Sequence, residues 1–418
     1  MVVRKGADMN YNQRLYKEVG DFPPVEPLPQ DDEKPKRRFS PRFANPINIP
    51  ISLSASYFFD STKDVVDYHE GRVRRARYGR YDNPTIEYAE CMLSFLDECE
   101  RALLFPSGMS AISTTLLSIL SIGDHIVFTS NCYRNILRFC EEMLPEYGIE
   151  STGVSSLEED LMAKVQDAIK ENTKVVFLET PSNPHMCMVN IEAVREAIGS
   201  RSDVLVVVDS TFATPHNFKP VRYGADLVIH SCTKYLSGHA DIMAGSVAGK
   251  KEVIEAIRQH RNVLGNISDG FSAYMLVRSL MSLGPRMEYY NAAGQKMAEF
   301  LESHPRIKRV YYLGLPSHPH HDYAESRMKG YGGVVSFELD AEKDQVSLFV
   351  DSLSIPYMST NFGAPYTLIE QYSVFTLYTL SEEERERIGI SDQLVRMSLG
   401  FEDLDRLIDD LGKTLAKI

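Results

Sequence analysis

Several apolar runs of this chain end in residues able to do chemistry. ADLVIH (225–230) runs into SCTK, which delivers Ser231, Thr233 and Lys234 within four positions. VLVVVD (204–209) ends in Asp209, with Thr211 two residues on, and KVVFLE (174–179) ends in Glu179 followed by TPSNP with Asn183. ALLF (102–105) ends in PSGMSAI, a small-residue turn opening a helix, whose amides at Gly108 and Met109 are free to hold an anion. Together these supply an anion nest, hydroxyls, carboxylates, an amide and an amine. Pyridoxal phosphate needs such a set: amide and hydroxyl donors for its phosphate, a lysine for its aldehyde, and a carboxylate opposite its pyridinium nitrogen. A carboxylate ending a buried strand favours the protonated ring, and each charge stabilises the other. Taken singly, each of these residues reads as well as a cap, a turn or a solvated side chain. Their succession on strand end after strand end is what carries the assignment.

The elements that must position them are short and β-branched. HIVF (125–128), KVVFLET (174–180), DVLVVVDS (203–210) and ADLVIHS (225–231) are apolar on both parities, as parallel strands covered on both faces are. TIEYAECMLSFLDECE, SAISTTLLSILSI (110–122) and NIEAVREAI (190–198) have helical spacing between them. The pattern predicts an α/β fold with a mostly parallel central sheet, whose ligands sit beyond the carboxyl ends of the strands. Past 265 the texture loosens: SAYMLVRSLMSL, RIKRVYYLG, VVSFELD, and a closing helix with Leu404, Leu407, Ile408 and Leu411 on one face. This predicts a smaller C-terminal α+β domain. The expected division is an arm over 1–80, flexible over its polar, proline-rich start, a cofactor-binding domain over 81–265, and the C-terminal domain over 266–418.

Composition narrows the class. The 418 residues carry a net charge of −13, which disfavours nucleic acid as a partner, since phosphate neutralisation needs a basic face. No apolar run is long enough to span a bilayer. The N-terminal stretch is too polar for a secretory signal, and the six cysteines form no CxxC pair. A cytoplasmic protein with reduced thiols is the expectation.

SCTKYLSGHADIMAG resembles the cofactor-lysine signature of the Cys/Met-metabolism family of pyridoxal-phosphate enzymes, and the resemblance runs from about residue 48 to the C-terminus. It implies the fold-type I architecture, seen in aspartate aminotransferase, and a homotetramer built from dimers that share their active sites. It implies that Tyr78 and Arg80 in YGRYDNPT reach the neighbour's cofactor phosphate. By the same resemblance, Tyr133 in NCYRN is expected to stack on the cofactor ring and assist catalysis, although plain core packing also accounts for that tyrosine; Glu179 is expected beside the cofactor's hydroxyl, and Asn183 beside the substrate. Asp209 and Thr211 serve the ring nitrogen, and Arg396 in LVRMSLGFED clamps the substrate α-carboxylate, a task suited to a guanidinium. Lys234 is the proton carrier, which requires its amine to titrate low.

Within that family, Asn135 stands where methionine γ-lyases carry cysteine, and Arg138 matches an arginine of the cystathionine enzymes. Arg138 reads equally as a binder of the distal carboxylate and as a solvated helix residue. Two departures stand out. Arg77 replaces an acidic residue, and NFGAPY puts Asn361 and Tyr366 where the family has serine and an acid. Asn361 is therefore expected to bind near the substrate carboxylate and to bias β- against γ-elimination. The family's PxxMTH run is also absent from EQYSVFTLYTL. The resulting expectation is a trans-sulfuration enzyme, cystathionine γ-lyase, releasing cysteine, 2-oxobutyrate and ammonia, with cystathionine γ-synthase as the alternative. A catalytically silent relative, a nucleotide-binding α/β protein and a metal site at HPHH (318–321) are the competing readings. The intact lysine, the lack of a glycine-rich phosphate motif after any strand, and the expectation of a solvated loop around HPHH weigh against them.

Overall fold

The computed structural model describes residues 47–157 and 160–418, so the polar start of the arm lies outside the described residues. A seven-stranded sheet is built from β1 (Arg101–Phe105), β2 (His125–Thr129), β3 (Glu150–Val154), β4 (Thr173–Glu179), β5 (Leu205–Asp209), β6 (Leu227–His230) and β7 (Gly245–Gly249), in the order β1-β7-β6-β5-β4-β2-β3. Strands β6, β5, β4, β2 and β3 pair in parallel, while β7 runs antiparallel to both its neighbours. β1 therefore points the same way as the parallel set. The carboxyl ends of β1, β4, β5 and β6 share one rim.

Parity explains the apolar runs. Leu104, Val127, Val176, Leu178, Val206 and Val208 enter one core, and Leu103, Ile126, Phe128, Val175, Phe177, Val207 and Ile229 enter the other. Helices α1 (Pro84–Leu96) and α4 (Gly270–Leu280) cover the first face; α2 (Gly108–Ile119) and α3 (Lys251–Leu264) cover the second. Alternate residues facing two dry cores leave no polar parity, hence runs without alternation. Side chains start the helices: Asn83 caps α1 by accepting from Thr85 and Ile86, with Pro84 in its first turn, and Asp269 caps α4.

A second, five-stranded sheet joins β8 (Ile307–Tyr311), β9 (Val334–Leu339), β10 (Tyr357–Met358), β11 (Leu368–Gln371) and β12 (Leu394–Ser398) in the order β10-β11-β12-β9-β8, antiparallel except for β10 with β11. Its inner face packs Val335, Phe337, Ile369, Val395 and Met397 against α5 (Leu283–Ser303) and α6 (Leu404–Leu415), through Met297, Leu301, Leu407 and Leu411. The smaller mixed domain inferred from the sequence is thus an antiparallel sheet backed by helices. Among the described residues no helix is long and apolar enough to cross a membrane.

Candidate active site

The shared rim opens into a cavity of about 550 Å³. Lys234 stands in it on a turn after β6, where its backbone amide donates to the Ser231 carbonyl at 3.2 Å. Its Nζ donates to Asn361 Oδ1 and lies 5.0 Å from the Phe362 ring centre. Phe362 stacks on Phe212, with ring centres 4.3 Å apart. Burial and the cation of Arg396 lower the amine to about 8, against a partial opposing pull from Glu370. The segment carrying Asn361 and Phe362 approaches Lys234 through Gly363, at φ +71°, where an added Cβ would lie 2.7 Å from the Tyr235 amide nitrogen. That contact and that φ require glycine.

Asp209 ends β5 and is 6% exposed, with no lysine or arginine paired to it among the described residues. Its Oδ1 accepts from the Thr211 amide at 3.0 Å and the Thr211 hydroxyl at 2.5 Å, and Thr211 Oγ1 also accepts from the Ser231 amide at 2.8 Å. Burial holds this carboxyl above its usual range although the Thr211 donors oppose it. Glu179, ending β4, is likewise raised by burial and then by Asp209; its oxygens accept from the amides of Tyr133 (2.8 Å) and Asn183 (3.1 Å). Two buried carboxyls side by side call for a cation between the strand ends.

After β1, Ser107 caps α2 by accepting from the Ser110 amide at 3.0 Å. The amides of Gly108 and Met109 begin the helix with no intrahelical acceptor, and both residues line the cavity. Ser231 faces them: a Cβ on Gly108 would come within 2.9 Å of Ser231 Cβ. The Thr233 hydroxyl is tied to Ala244, donating to its carbonyl (3.2 Å) and accepting from its amide (3.0 Å).

The opposite wall comes from the smaller sheet. Arg396 on β12 is 4% exposed; its Nη1 donates to Asn183 Oδ1 at 2.9 Å and its Nη2 to the Thr360 carbonyl at 2.6 Å. Glu370, directly opposite it on β11, forms a buried ion pair with it and accepts from the Thr376 hydroxyl at 2.7 Å. Asn183 Nδ2 in turn donates to the hydroxyl of buried Tyr372 at 3.0 Å. Sequence reasoning missed Glu370 and Tyr372. The available signal was an acid following the apolar pair Leu368–Ile369 in the strand LIEQ.

Tyr133 lines the cavity but is 45% exposed, with its hydroxyl accepting from Asn135 Nδ2 at 3.1 Å; it is not a core packing residue. Arg138 is not brought to the cavity. It is exposed and pairs with Glu142, one turn along, at 3.2 Å. Tyr78 and Arg80 also lie outside the cavity lining: Arg80 donates to the Asn262 carbonyl at 2.5 Å and packs over the Tyr78 and Tyr81 rings. Tyr366 is exposed and packs edge-on against Tyr357. The HPHH run is not the solvated loop expected of it. His318 is buried, its imidazole donates to the His185 carbonyl at 3.0 Å, and His321 donates to the Leu313 carbonyl at 2.8 Å. Burial lowers His318 to about 4, so it is a neutral structural donor. No group of three or more His, Cys, Asp or Glu among the described residues is placed to hold a metal ion. Cys232 is fully buried, and burial pushes its thiol up to about 12.

The family model described as Cys/Met metabolism PLP-dependent enzyme matches residues 36–416. Cystathionine gamma-synthase 1, chloroplastic, of Arabidopsis thaliana is 40% identical over 373 residues, covering 89% of this chain and 66% of that protein. Cystathionine gamma-lyase of Bacillus subtilis is 35% identical over 373 residues, 89% of this chain and 95% of the lyase. The crystal structure of cystathionine gamma synthase from Xanthomonas oryzae pv. oryzae in complex with cystathionine superposes with a TM-score of 0.82 at 31% identity, covering 89% of this chain and 93% of that one. This chain spans about two thirds of the length of the Arabidopsis synthase.

Proposed function

The chain belongs to the Cys/Met metabolism PLP-dependent enzymes, and from that premise we propose that it is a cystathionine γ-synthase, joining an O-activated homoserine to cysteine by γ-replacement. The observation that carries the chemistry is a lysine amine lowered to about 8 in a cavity shared with an unpaired buried carboxylate and a buried arginine. The synthase is preferred to the lyase because the plant synthase is the more similar of the two relatives over the same share of this chain.

The residues present fit pyridoxal phosphate on their own geometry. The cradle between Gly108 and Ser231 is closed to any Cβ, and its amides and the Ser231 hydroxyl suit a phosphate, with Thr233 beside them. Asp209, held by Thr211, suits a protonated ring nitrogen; Tyr133 suits the ring face; Lys234 suits the aldehyde. When bound, the cofactor supplies an electron sink conjugated with the substrate nitrogen, which acidifies the Cα and then the Cβ protons.

The protein's own part is positioning and proton movement. Arg396 holds the substrate α-carboxylate, oriented by Asn183 and the Thr360 carbonyl. Lys234, about a tenth neutral at pH 7, takes the proton from Cα and must pass it on before it takes one from Cβ. The γ-substituent leaves as its own anion when the Cγ–O bond breaks, the cysteine sulfur bonds to Cγ as its thiol proton goes to that anion, and the two protons taken return to Cβ and Cα. Phe212 and Phe362 wall the amine from water. Asn361 acts on Lys234 itself rather than on the substrate carboxylate, because its Oδ1 accepts from the amine.

Tyr78 and Arg80 serve the cofactor phosphate of a neighbouring subunit in a homotetramer, a reading supported by their place on the arm-side segment away from this chain's own cavity. The divisions at 80 and 265 are part of this proposal; the two sheets lie on either side of 265, while α4, beyond it, still packs on the larger sheet. The test of the reaction is direct. The holoenzyme is given an O-activated homoserine with cysteine, or L-cystathionine alone, and cystathionine and 2-oxobutyrate are quantified by mass spectrometry. Cystathionine formation is expected to outrun 2-oxobutyrate release from cystathionine by at least about tenfold; the reverse order establishes the lyase.

A further inference from the structure

Three cationic side chains line the cavity: Lys234, Arg396 and Arg134. Lys234 is bound to Asn361, and Arg396 is neutralised by Glu370. Arg134 has only uncharged partners among the described residues. Its Nη2 donates to the Thr379 hydroxyl at 2.8 Å and its Nη1 to the Thr376 carbonyl at 3.4 Å. Those partners lie on the segment following β11, more than 240 residues away in the chain, so the half-exposed guanidinium is tethered to that segment at the edge of the cavity. Thr376 also lines the cavity, and its hydroxyl donates to Glu370, the partner of Arg396. Arg134, from the larger sheet's side, and Arg396, from the smaller sheet, are therefore linked through Thr376 and Glu370.

We propose that Arg134 binds the acidic distal end of the substrate, a carboxylate or phosphate carried on the γ-substituent, while Arg396 holds the α-carboxylate. The assignment of the α-end rests on the reading above. A guanidinium that meets no carboxylate among the described residues and lies beside the cavity is suited to a two-oxygen anion. Arg138, which the sequence offered for this work, is directed to Glu142 instead. Selectivity then follows from charge: amino acids with an acidic far end are retained, and neutral ones of the same length are not.

A purely structural role, stapling the helix Arg134–Arg138 to the 376–379 segment, makes a different prediction. Equilibrium binding to the holoenzyme is read from its visible absorbance with three amino acids lacking a γ-leaving group: L-2-aminoheptanoate, L-2-aminopimelate and L-2-amino-5-phosphonopentanoate. The protein is expected to bind at least one of the two acidic ligands about tenfold or more tightly than the neutral one. Arg134→Gln is expected to abolish that preference and leave the neutral ligand within about twofold. Arg134→Lys is expected to retain part of it. The acid that loses more identifies carboxylate or phosphate as the natural distal group. A parallel loss for all three ligands, or a preference that survives Arg134→Gln, overturns the proposal. Because none of these ligands turns over, the result stands apart from the γ-replacement assay: a negative assay with an Arg134-dependent preference removes the synthase reading alone.

Discussion

Charging Asn361 should retune Lys234. In the wild-type protein the amine titrates near 8, against 10.5 for an ordinary lysine, because it is buried and Arg396 is close. At pH 7 that difference raises the neutral fraction from about 0.03% to about 10%, roughly 300-fold. Asn361→Asp would place a carboxylate on the atom that now accepts from Nζ. Two unit charges ~4 Å apart at an effective dielectric of ~20 attract by ~4 kcal/mol, which would lift the midpoint by as much as ~3 pH units. Solvent at the cavity mouth screens part of this, so a rise of at least about one unit is the expectation.

The sign runs through both states. The folded amine gives up its proton near 8, before the unfolded one near 10.5, so reactivity rises through about 8 and folding stability rises between those values. Asn361→Asp moves both changes upward and narrows the window. The assay is competitive acetylation of the cofactor-free protein with acetic anhydride across the pH range, with the Lys234 peptide quantified by mass spectrometry. This reagent carries no titrating group of its own, unlike pyridoxal. A wild-type midpoint near 10.5, or one that Asn361→Asp leaves in place, would refute the argument.

Two further outcomes follow from the same geometry. Glu370→Gln removes one member of a buried ion pair, which should cost about 3–5 kcal/mol in chemical denaturation, and an α-carboxylate ligand should recover more stability in the variant than in the wild type; equal recovery would mean that Glu370 does not compete for Arg396. Arg80→Ala should weaken cofactor retention at least about tenfold without unfolding the subunit, and refolding it with an inactive Lys234→Ala chain should restore about a quarter of wild-type activity through mixed dimers with one intact site. No complementation would place Arg80 in its own subunit's chemistry.

What was legible in the sequence is what the chain makes locally. Lys234, Asp209, Glu179 and the Gly108 turn each follow their strand directly, so a correct strand assignment places them on the rim. β7 went unread because GSVAG is small and weakly β-branched; it is a strand by virtue of β1 and β6 on either side. Arg138 misled for a different reason. It follows Arg134 by about one helical turn, and Glu142 lies a further turn on to draw it away. HPHH misled because polarity stands for exposure only when no backbone carbonyl is within reach, and His318 and His321 each find one.

The second wall is where sequence proximity gives out and register takes over. Glu370 meets Arg396 only because β11 and β12 pair antiparallel with those two residues opposite each other, their side chains on the face toward the cavity. A slip of β11 by one residue would turn Glu370 to the other face, leaving Gln371 or Ile369 opposite the arginine. The same strand ends in the turn carrying Tyr372 and Thr376, which reach Asn183 and Arg134. A single register therefore fixes the charge available to the α-carboxylate, the orientation of Asn183, and the anchor of the guanidinium proposed for the distal end. This explains how the usual serine and acid of the 361–366 segment can be replaced without dismantling the pocket. The groups that orient Arg396, namely Asn183, Glu370 and the Thr360 carbonyl, all lie outside that segment. Substitution at Asn361 is thus free to act on Lys234 alone, through the one hydrogen bond that joins the two sheets' contributions at the reacting amine.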